Sequence, residues 1–179
     1  TQVSTTKLWK PDVKTPMLVT ENQNYKDLKH RRSVFFVGQK YFVIVDEAVG
    51  SAKGKVGLHY QMNAGKVDIN PKEFILTSDY GGKSNAKLQC FAPQGATLEE
   101  EEGWQATLYL VREKRTAVSF NVEKKDEAPV RYITVIYPTE DCGNAPEMSA
   151  RFVNPQYDEN SLKVEVTLDG KKQVLGYKL

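Results

Sequence analysis

The side chains best suited to chemistry are two histidines and a cationic run beside one of them. The chain has 179 residues and two histidines, His30 and His59, and His30 is followed directly by Arg31 and Arg32. Imidazole exchanges a proton near neutral pH, and a guanidinium binds an anionic group through two parallel N–H bonds. A site with three histidine ligands is excluded within this chain. The HRR run either receives an anionic ligand or is the solvated end of a strand.

His59 and the glutamate run Glu99–Glu102 each allow two interpretations. His59 alternates with the apolar residues of KVGLHYQM, so it faces away from them. It is either an inert, hydrogen-bonded side chain or part of a groove. The glutamates repel one another and predict a solvated loop, although carboxylates also suit calcium; EF-hand spacing is lacking. Trp104 follows the run and is either a core anchor, which the sequence favours, or a stacking platform for a sugar ring.

Cys90 and Cys142 are the only two cysteines, and their spacing matches no zinc pattern. They can form one disulfide in an oxidising compartment or remain as thiols. A domain of this size does not need a disulfide for stability, so we expect buried or unpaired thiols.

The stretch that positions the HRR run predicts a long β-hairpin. Its strands are expected at about Lys29–Val37 and Lys40–Glu47, with Gly38 and Gln39 between them. Glycine at the first central position predicts a type II′ turn. The strands are dense in β-branched and aromatic residues, which predicts that both faces are covered over part of their length and that the hairpin is central.

Alternation along the first predicted strand separates the cationic residues. His30 and Arg32 share one face, and Lys29 and Arg31 share the other. Arg31 and Lys29 are therefore expected to be scaffold or surface residues, while His30 and Arg32 are the pair available to a ligand.

The rest of the chain predicts an all-β, antiparallel two-sheet β-sandwich of about ten to twelve strands. Short alternating segments are separated by turn signals such as Asp169-Gly170, and one of the expected strands is Gln105–Val111. No segment has a convincing helical period of more than three turns, and phosphate-loop and catalytic serine or cysteine motifs are lacking. We place the sandwich at residues 17–179 and interpret residues 1–16 as an N-terminal arm or linker, with Trp9 as its anchor.

Composition limits the function classes. The chain is 40% hydrophobic and 27% charged, with a net charge of +2, which is ordinary for a globular domain. Nucleic-acid binding by a strong overall positive field is not indicated. No apolar run approaches the ~18 residues that span a bilayer. The chain starts at Thr1 and shows no signal peptide, so we expect a processed chain or an excised fragment.

Five segments of the chain are distinctive: LKHRRSVFFVGQKYFVIVDEA, LHYQM, FAPQGATLEEEEGW, VRYITVIYPT and LKVEVTLDGKKQVLGYKL. Together they resemble the C-terminal β-sandwich of the heparinase II/III family of polysaccharide lyases, and within it the heparan-sulfate lyase (heparinase III) branch. The resemblance covers nearly the whole chain.

The resemblance implies a fold and an activity. Such enzymes place an anionic polysaccharide between a helical toroid and the sandwich and cleave it by β-elimination at a uronic acid. The chain alone would be inactive, because the main tyrosine, asparagine and at least one histidine of the family lie outside it. Residues 1–16 would then lead from a missing toroid. His30 becomes the candidate catalytic residue and Arg32 the candidate substrate-binding residue.

The remaining expectations concern partners and location. The resemblance implies heparan-sulfate-type polysaccharide and the toroid as partners, without nucleic acid or membrane, in the periplasm or outside the cell. No cofactor is expected, with calcium at the glutamate run as the alternative. Two other functions stay open from the residues: a freestanding carbohydrate-binding module and a purely structural sandwich.

Overall fold

The computed structural model describes residues 4–154 and 156–179, without the side chain of Cys142, and shows fourteen strands and one short 3-10 turn at Cys142–Asn144. No helix among the described residues is long and apolar enough to cross a membrane. The strands are β1 (Ser4–Lys10), β2 (Met17–Tyr25), β3 (Leu28–Val37), β4 (Tyr41–Val49), β5 (Gly54–Gln61), β6 (Lys66–Asn70), β7 (Ile75–Asp79), β8 (Asn85–Phe91), β9 (Thr97–Gln105), β10 (Glu113–Lys124), β11 (Val130–Thr139), β12 (Met148–Phe152), β13 (Ser161–Leu168) and β14 (Lys171–Lys178).

The strands form three antiparallel sheets. The large sheet has the order β1-β2-β3-β4-β11-β8-β7-β6. The β10 sheet has the order β5-β10-β9, and the β13 sheet has the order β12-β13-β14. The all-β, antiparallel sandwich predicted from the sequence is confirmed, with three sheets where two were expected.

The two small sheets cover opposite faces of the large sheet, so the molecule has two hydrophobic cores. Phe35 and Val43 of the large sheet pack with Val164 and Leu175 of the β13 sheet. On the opposite face, residues of β8 and β11 pack with Leu58, Val118 and Phe120 of the β10 sheet. Ala48 of β4 belongs to this second core, whereas Val34 and Phe36 of β3 are only partly buried, so the second face of the β3–β4 hairpin is covered over part of its length. The predicted central position of this hairpin is confirmed.

The turn of the central hairpin differs from the predicted one. Gly38 and Gln39 both have φ of +56°, and the Lys40 N–H donates to the Val37 carbonyl at 3.0 Å. Two positive φ values identify a type I′ turn, so the predicted type II′ turn was wrong. Pairing resumes at Val37 and Tyr41, which leaves a three-residue loop. This loop length sets the register of every residue along the hairpin.

Several local features differ from the sequence predictions. Ser4–Lys10, which lies in the predicted N-terminal arm or linker, forms the edge strand β1 and pairs with β2, and Trp9 is largely exposed and does not anchor it. Glu99–Glu102, predicted as a solvated loop, lies within β9. Gln105–Val111, predicted as a strand, is mainly the loop between β9 and β10.

Candidate functional site

A cavity of about 430 Å³ lies between the central hairpin and β5. His30, Arg32 and Asp46 contribute from the hairpin, and Lys55 and His59 contribute from β5. Side chains alternate along β3, so His30 and Arg32 lie on the face of the large sheet that packs against the β10 sheet. At this position the apolar side chains of the core give way to polar ones. Tyr25, Leu28, Glu47, Ala48, Val56, Gly57, Leu58 and Tyr132 complete the lining.

Asp46 holds both predicted site residues. The Arg32 Nε donates to Asp46 Oδ1 at 2.7 Å, and Nη2 donates to Oδ2 at 3.2 Å. The His30 Nε2 lies 2.7 Å from the same Oδ1. Asp46 is only 4% exposed, whereas Arg32 is 39% exposed. The structure therefore brings His30 and Arg32 together through a buried carboxylate.

The charge on Arg32 is stabilised in this arrangement. Burial opposes the charged form, but hydrogen bonding and attraction to Asp46 outweigh it and raise the pKa of the guanidinium. Two of the five guanidinium N–H groups of Arg32 donate hydrogen bonds to Asp46. The other three, two of them on Nη1, remain for an anionic ligand in the cavity.

The same carboxylate orients His30. When Nε2 carries the proton that Asp46 accepts, Nδ1 of the neutral imidazole keeps a lone pair that can accept a proton. An imidazole held in one tautomer by a carboxylate can accept a proton and later return it. The chemistry available is therefore proton transfer next to a cationic anion-binding group.

The opposite wall is polar and charge-compensated. Lys55 Nζ lies 2.9 Å from Glu99 Oε2, and His59 Nδ1 lies 2.9 Å from Glu101 Oε2. Hydrogen bonding from Lys55 lowers the pKa of Glu99, and hydrogen bonding from His59 lowers that of Glu101. His59 thus faces the groove, which was one of its two predicted alternatives, and is also hydrogen-bonded.

Arg31 lies on the other face of β3 and is structural. It is fully buried, and its Nε donates to Glu21 Oε1 at 2.8 Å while Nη1 donates to the Glu159 carbonyl at 2.6 Å. Lys29 also pairs with Glu21 and Glu159. The scaffold interpretation of both residues fits these contacts, and a surface location is wrong for Arg31.

The remaining candidates are not among the residues that line the cavity. Trp104 is partly exposed and its ring is covered by the Arg112 guanidinium at 4.1 Å, so the favoured interpretation as a core anchor was wrong. Cys90 is a buried free thiol, as expected, whereas the Cys142 side chain lies outside the described residues. Within residues 4–154 and 156–179 no group of three or more His, Cys, Asp or Glu side chains is arranged to hold a metal ion. The calcium alternative stays a prediction.

Asp46 is the central residue that sequence reasoning missed. A signal was present, because an aspartate interrupts the apolar strand YFVIVDE. With a two-residue loop, Arg32 would have faced Val45. The three-residue loop shifts the pairing by one position and places Arg32 opposite Asp46.

Comparison with known proteins places this arrangement in a family. Residues 5–146 match the family model described as heparinase II/III-like, C-terminal. A heparin-sulfate lyase of Bacteroides stercoris is 53% identical over 98% of this chain and 26% of its own length. A heparin-sulfate lyase of Bacteroides thetaiotaomicron is 34% identical over 92% of the chain and 24% of its own length.

Solved structures agree with the sequence relatives. A heparinase III structure has a TM-score of 0.96 and 53% identity over 98% of this chain and 28% of its own. A heparan sulfate lyase from Pedobacter heparinus has a TM-score of 0.87 and 28% identity over 98% of this chain and 28% of its own. The chain spans about a quarter of the length of the curated relatives it matches. The chain belongs to the heparinase II/III-like C-terminal domain family.

Proposed function

We propose that this chain is the C-terminal domain of a lyase that cleaves heparan-sulfate-type polysaccharides by β-elimination. The observation that carries the proposal is the 53% identity with a heparin-sulfate lyase over nearly the whole chain. The domain forms one wall of the substrate cleft, and the rest of the polypeptide supplies the opposite wall and most of the catalytic groups.

Within this function, the cavity of the central hairpin contacts the polysaccharide. Arg32 binds a uronate carboxylate or a sulfate through its uncommitted N–H groups, and His30 exchanges a proton with the sugar or neutralises the carboxylate. Asp46 acts as a positioning residue, because it holds both side chains and is itself buried. This assignment rests on the shared face, the shared carboxylate and the partial exposure of His30 and Arg32.

Exposed aromatic residues do not favour a freestanding carbohydrate-binding module. Trp9, Tyr25, Trp104 and Tyr109 are exposed, but they belong to different strands and loops, and one face of Trp104 is covered by Arg112. A sugar-binding platform normally offers open aromatic faces side by side.

The test is turnover of heparan sulfate by the polypeptide that contains this chain and by the 179-residue chain alone. β-Elimination creates a conjugated double bond, which is followed by near-ultraviolet absorbance. We expect product from the longer polypeptide and none from the isolated chain. No product from the longer polypeptide with heparan sulfate, or cleavage of a different uronate polymer in its place, would contradict the proposed substrate. Product from the isolated chain would contradict its role as one wall of the cleft.

A further inference from the structure

The loop between β9 and β10 exposes an unusual set of apolar side chains. Leu108, Tyr109 and Leu110 are 70%, 91% and 90% exposed, and Val111 beside them is also exposed. Single exposed apolar residues are common on proteins, but a contiguous group marks an interaction site. We call residues 108–111 the apolar tip.

The backbone of the apolar tip is unfavourable for its own sequence. The Val111 N–H donates to the Leu108 carbonyl at 3.1 Å, which closes a four-residue turn. Leu110, the third residue of this turn, has φ of +63°, a conformation that suits glycine or asparagine. Leucine at this position therefore costs local stability and gains no burial within the chain. Strained backbone conformations of this kind cluster at functional sites, where the surrounding structure keeps them in place.

Side-chain contacts connect the two strand ends on either side of the apolar tip. The Arg112 guanidinium lies over the Trp104 ring at 4.1 Å, and Gln105 Nε2 donates to Glu113 Oε2 at 3.5 Å. These contacts join the end of β9 to the start of β10.

The apolar tip lies at the end of the β10 sheet remote from the cavity. In the β5–β10 pairing, His59 is opposite Ser119 and Lys55 is opposite Glu123, near the far end of β10. The apolar tip precedes Glu113, at the other end of the same strand. Contacts at the tip are therefore separate from contacts in the cavity.

We propose that the apolar tip docks into an apolar recess on the part of the same polypeptide that lies outside this chain. This inference rests on the proposed function, because it needs a longer lyase. The relatives carry about three quarters of their length outside the matched segment, so a partner surface on the same polypeptide is available. The side chains of the apolar tip carry no charge and are largely hydrophobic, so the complementary surface is an apolar recess.

The size of the apolar tip favours a tethered partner over a second copy. Stable association of free proteins usually buries about 1,200–2,000 Å² in total, far more than three or four side chains supply. A tethered partner has a high effective concentration, so a small contact suffices. The apolar tip would thus fix the angle between the two parts of the enzyme at a point distant from the cleft.

Side-chain footprinting at Tyr109 tests the docking. Carbene labelling of Tyr109 is compared in the isolated 179-residue chain and in the longer polypeptide, with Val174, 59% exposed on β14, as the internal reference. We expect Tyr109 labelling to fall about tenfold in the longer polypeptide because a docked core excludes water, and Val174 labelling to stay unchanged. Equal Tyr109 labelling in both would overturn the proposal. So would protection in the isolated chain that grows with its concentration, because a second copy would then be the occupant.

A variant pair separates docking from folding. Leu108→Ser with Leu110→Gly removes the apolar side chains and relieves the positive φ, so the urea midpoint of the isolated chain should not fall. In the longer polypeptide we expect limited proteolysis between the two parts to become about tenfold faster, and Val174→Ser to leave it unchanged. An unchanged proteolysis rate in the double variant would refute docking.

The two proposals fail in different ways. Protection of Tyr109 in a polypeptide without lyase turnover would support docking and refute the proposed function. Turnover with Tyr109 fully labelled would support the function and refute docking.

Discussion

Arg32 on β3 and Asp46 on β4 face each other in the hairpin register and form two hydrogen bonds, at 2.7 and 3.2 Å. Asp46 is buried, while Arg32 reaches solvent at the cavity. The buried carboxylate therefore fixes a cation and an imidazole at one end of the cavity without using all of their hydrogen-bonding capacity.

Replacing Asp46 should destabilise the domain as well as alter the cavity. Asp46→Asn keeps the shape but weakens the charge-assisted bonds to Arg32 and His30, so we expect the free energy of unfolding to fall by about 1–3 kcal/mol. Urea unfolding of the 179-residue chain measures it. The control is Asp68→Asn, which affects an exposed pair with Lys66 and should leave the free energy of unfolding almost unchanged. Equal effects of the two substitutions would show that Asp46 is not a structural centre.

Glu21 predicts an acid-dependent loss of stability. Burial opposes its charge, but hydrogen bonds and attraction from Arg31 and Lys29 outweigh it and lower the pKa of the carboxyl. A lowered folded-state pKa means that the contribution is fully present above the ordinary glutamate value of about 4.3 and is lost as pH falls through the lower folded value. Glu21→Gln should therefore cost about 1–3 kcal/mol at pH 7, with the difference shrinking below about pH 4.

Urea unfolding of Glu21→Gln between pH 2.5 and 7, beside the exposed control Glu127→Gln, measures this dependence. A difference from the parent that stays constant across the whole range would contradict the assignment, because it would not follow the protonation of Glu21.

Gly57 gives a steric test of the cavity wall. A Cβ added at residue 57 would lie 2.7 Å from Asn121 Oδ1 and 2.9 Å from His59 Nε2. Gly57→Ala must displace one of these side chains, and Asn121 is buried, so we expect a loss of about 1–3 kcal/mol and a changed His59 environment. Imidazole NMR shifts and urea unfolding measure both effects. Gly82→Ala is the matched control, since nothing lies within 4 Å of its added Cβ. A Gly57→Ala protein as stable as Gly82→Ala, with an unmoved His59 signal, would be inconsistent with this packing.

Cys90 should be almost unreactive while the domain is folded. Burial raises the pKa of the Cys90 thiol to about 12, so very little thiolate is present at pH 8. We expect alkylation of Cys90 to be roughly 100-fold slower in the native chain than in guanidinium, measured by peptide mass spectrometry of that cysteine alone. Similar rates in both conditions would mean that Cys90 is accessible.

The sequence was most informative where patterns are local. Alternating apolar residues revealed the β class and the faces of His30, Arg32 and Arg31. It was least informative about strand register. A hairpin loop longer by one residue shifts every pair of facing residues, and the Arg32–Asp46 contact was missed for this reason. The residues from Leu108 to Val111 have the composition of a strand, yet they form an exposed turn, because strand propensity depends on residue type and does not reveal whether a segment is buried.

Burial was also difficult to predict for charged residues. Arg31 is buried because Glu21 and the Glu159 carbonyl satisfy its guanidinium. Glu159 is 128 positions away along the chain, so no local pattern contains that contact. A contact between residues so far apart in the sequence can be recognised only when the arrangement of the three sheets is known.

The proposed role of His30 in β-elimination is tested most directly by turnover of the longer polypeptide carrying His30→Gln. Initial rates of unsaturated product formation from heparan sulfate give kcat/KM, beside the exposed control Lys83→Gln. We predict a fall in kcat/KM of roughly 100-fold for His30→Gln with normal folding, and no change for the control. Turnover by a folded His30→Gln protein at the rate of its parent would contradict the account.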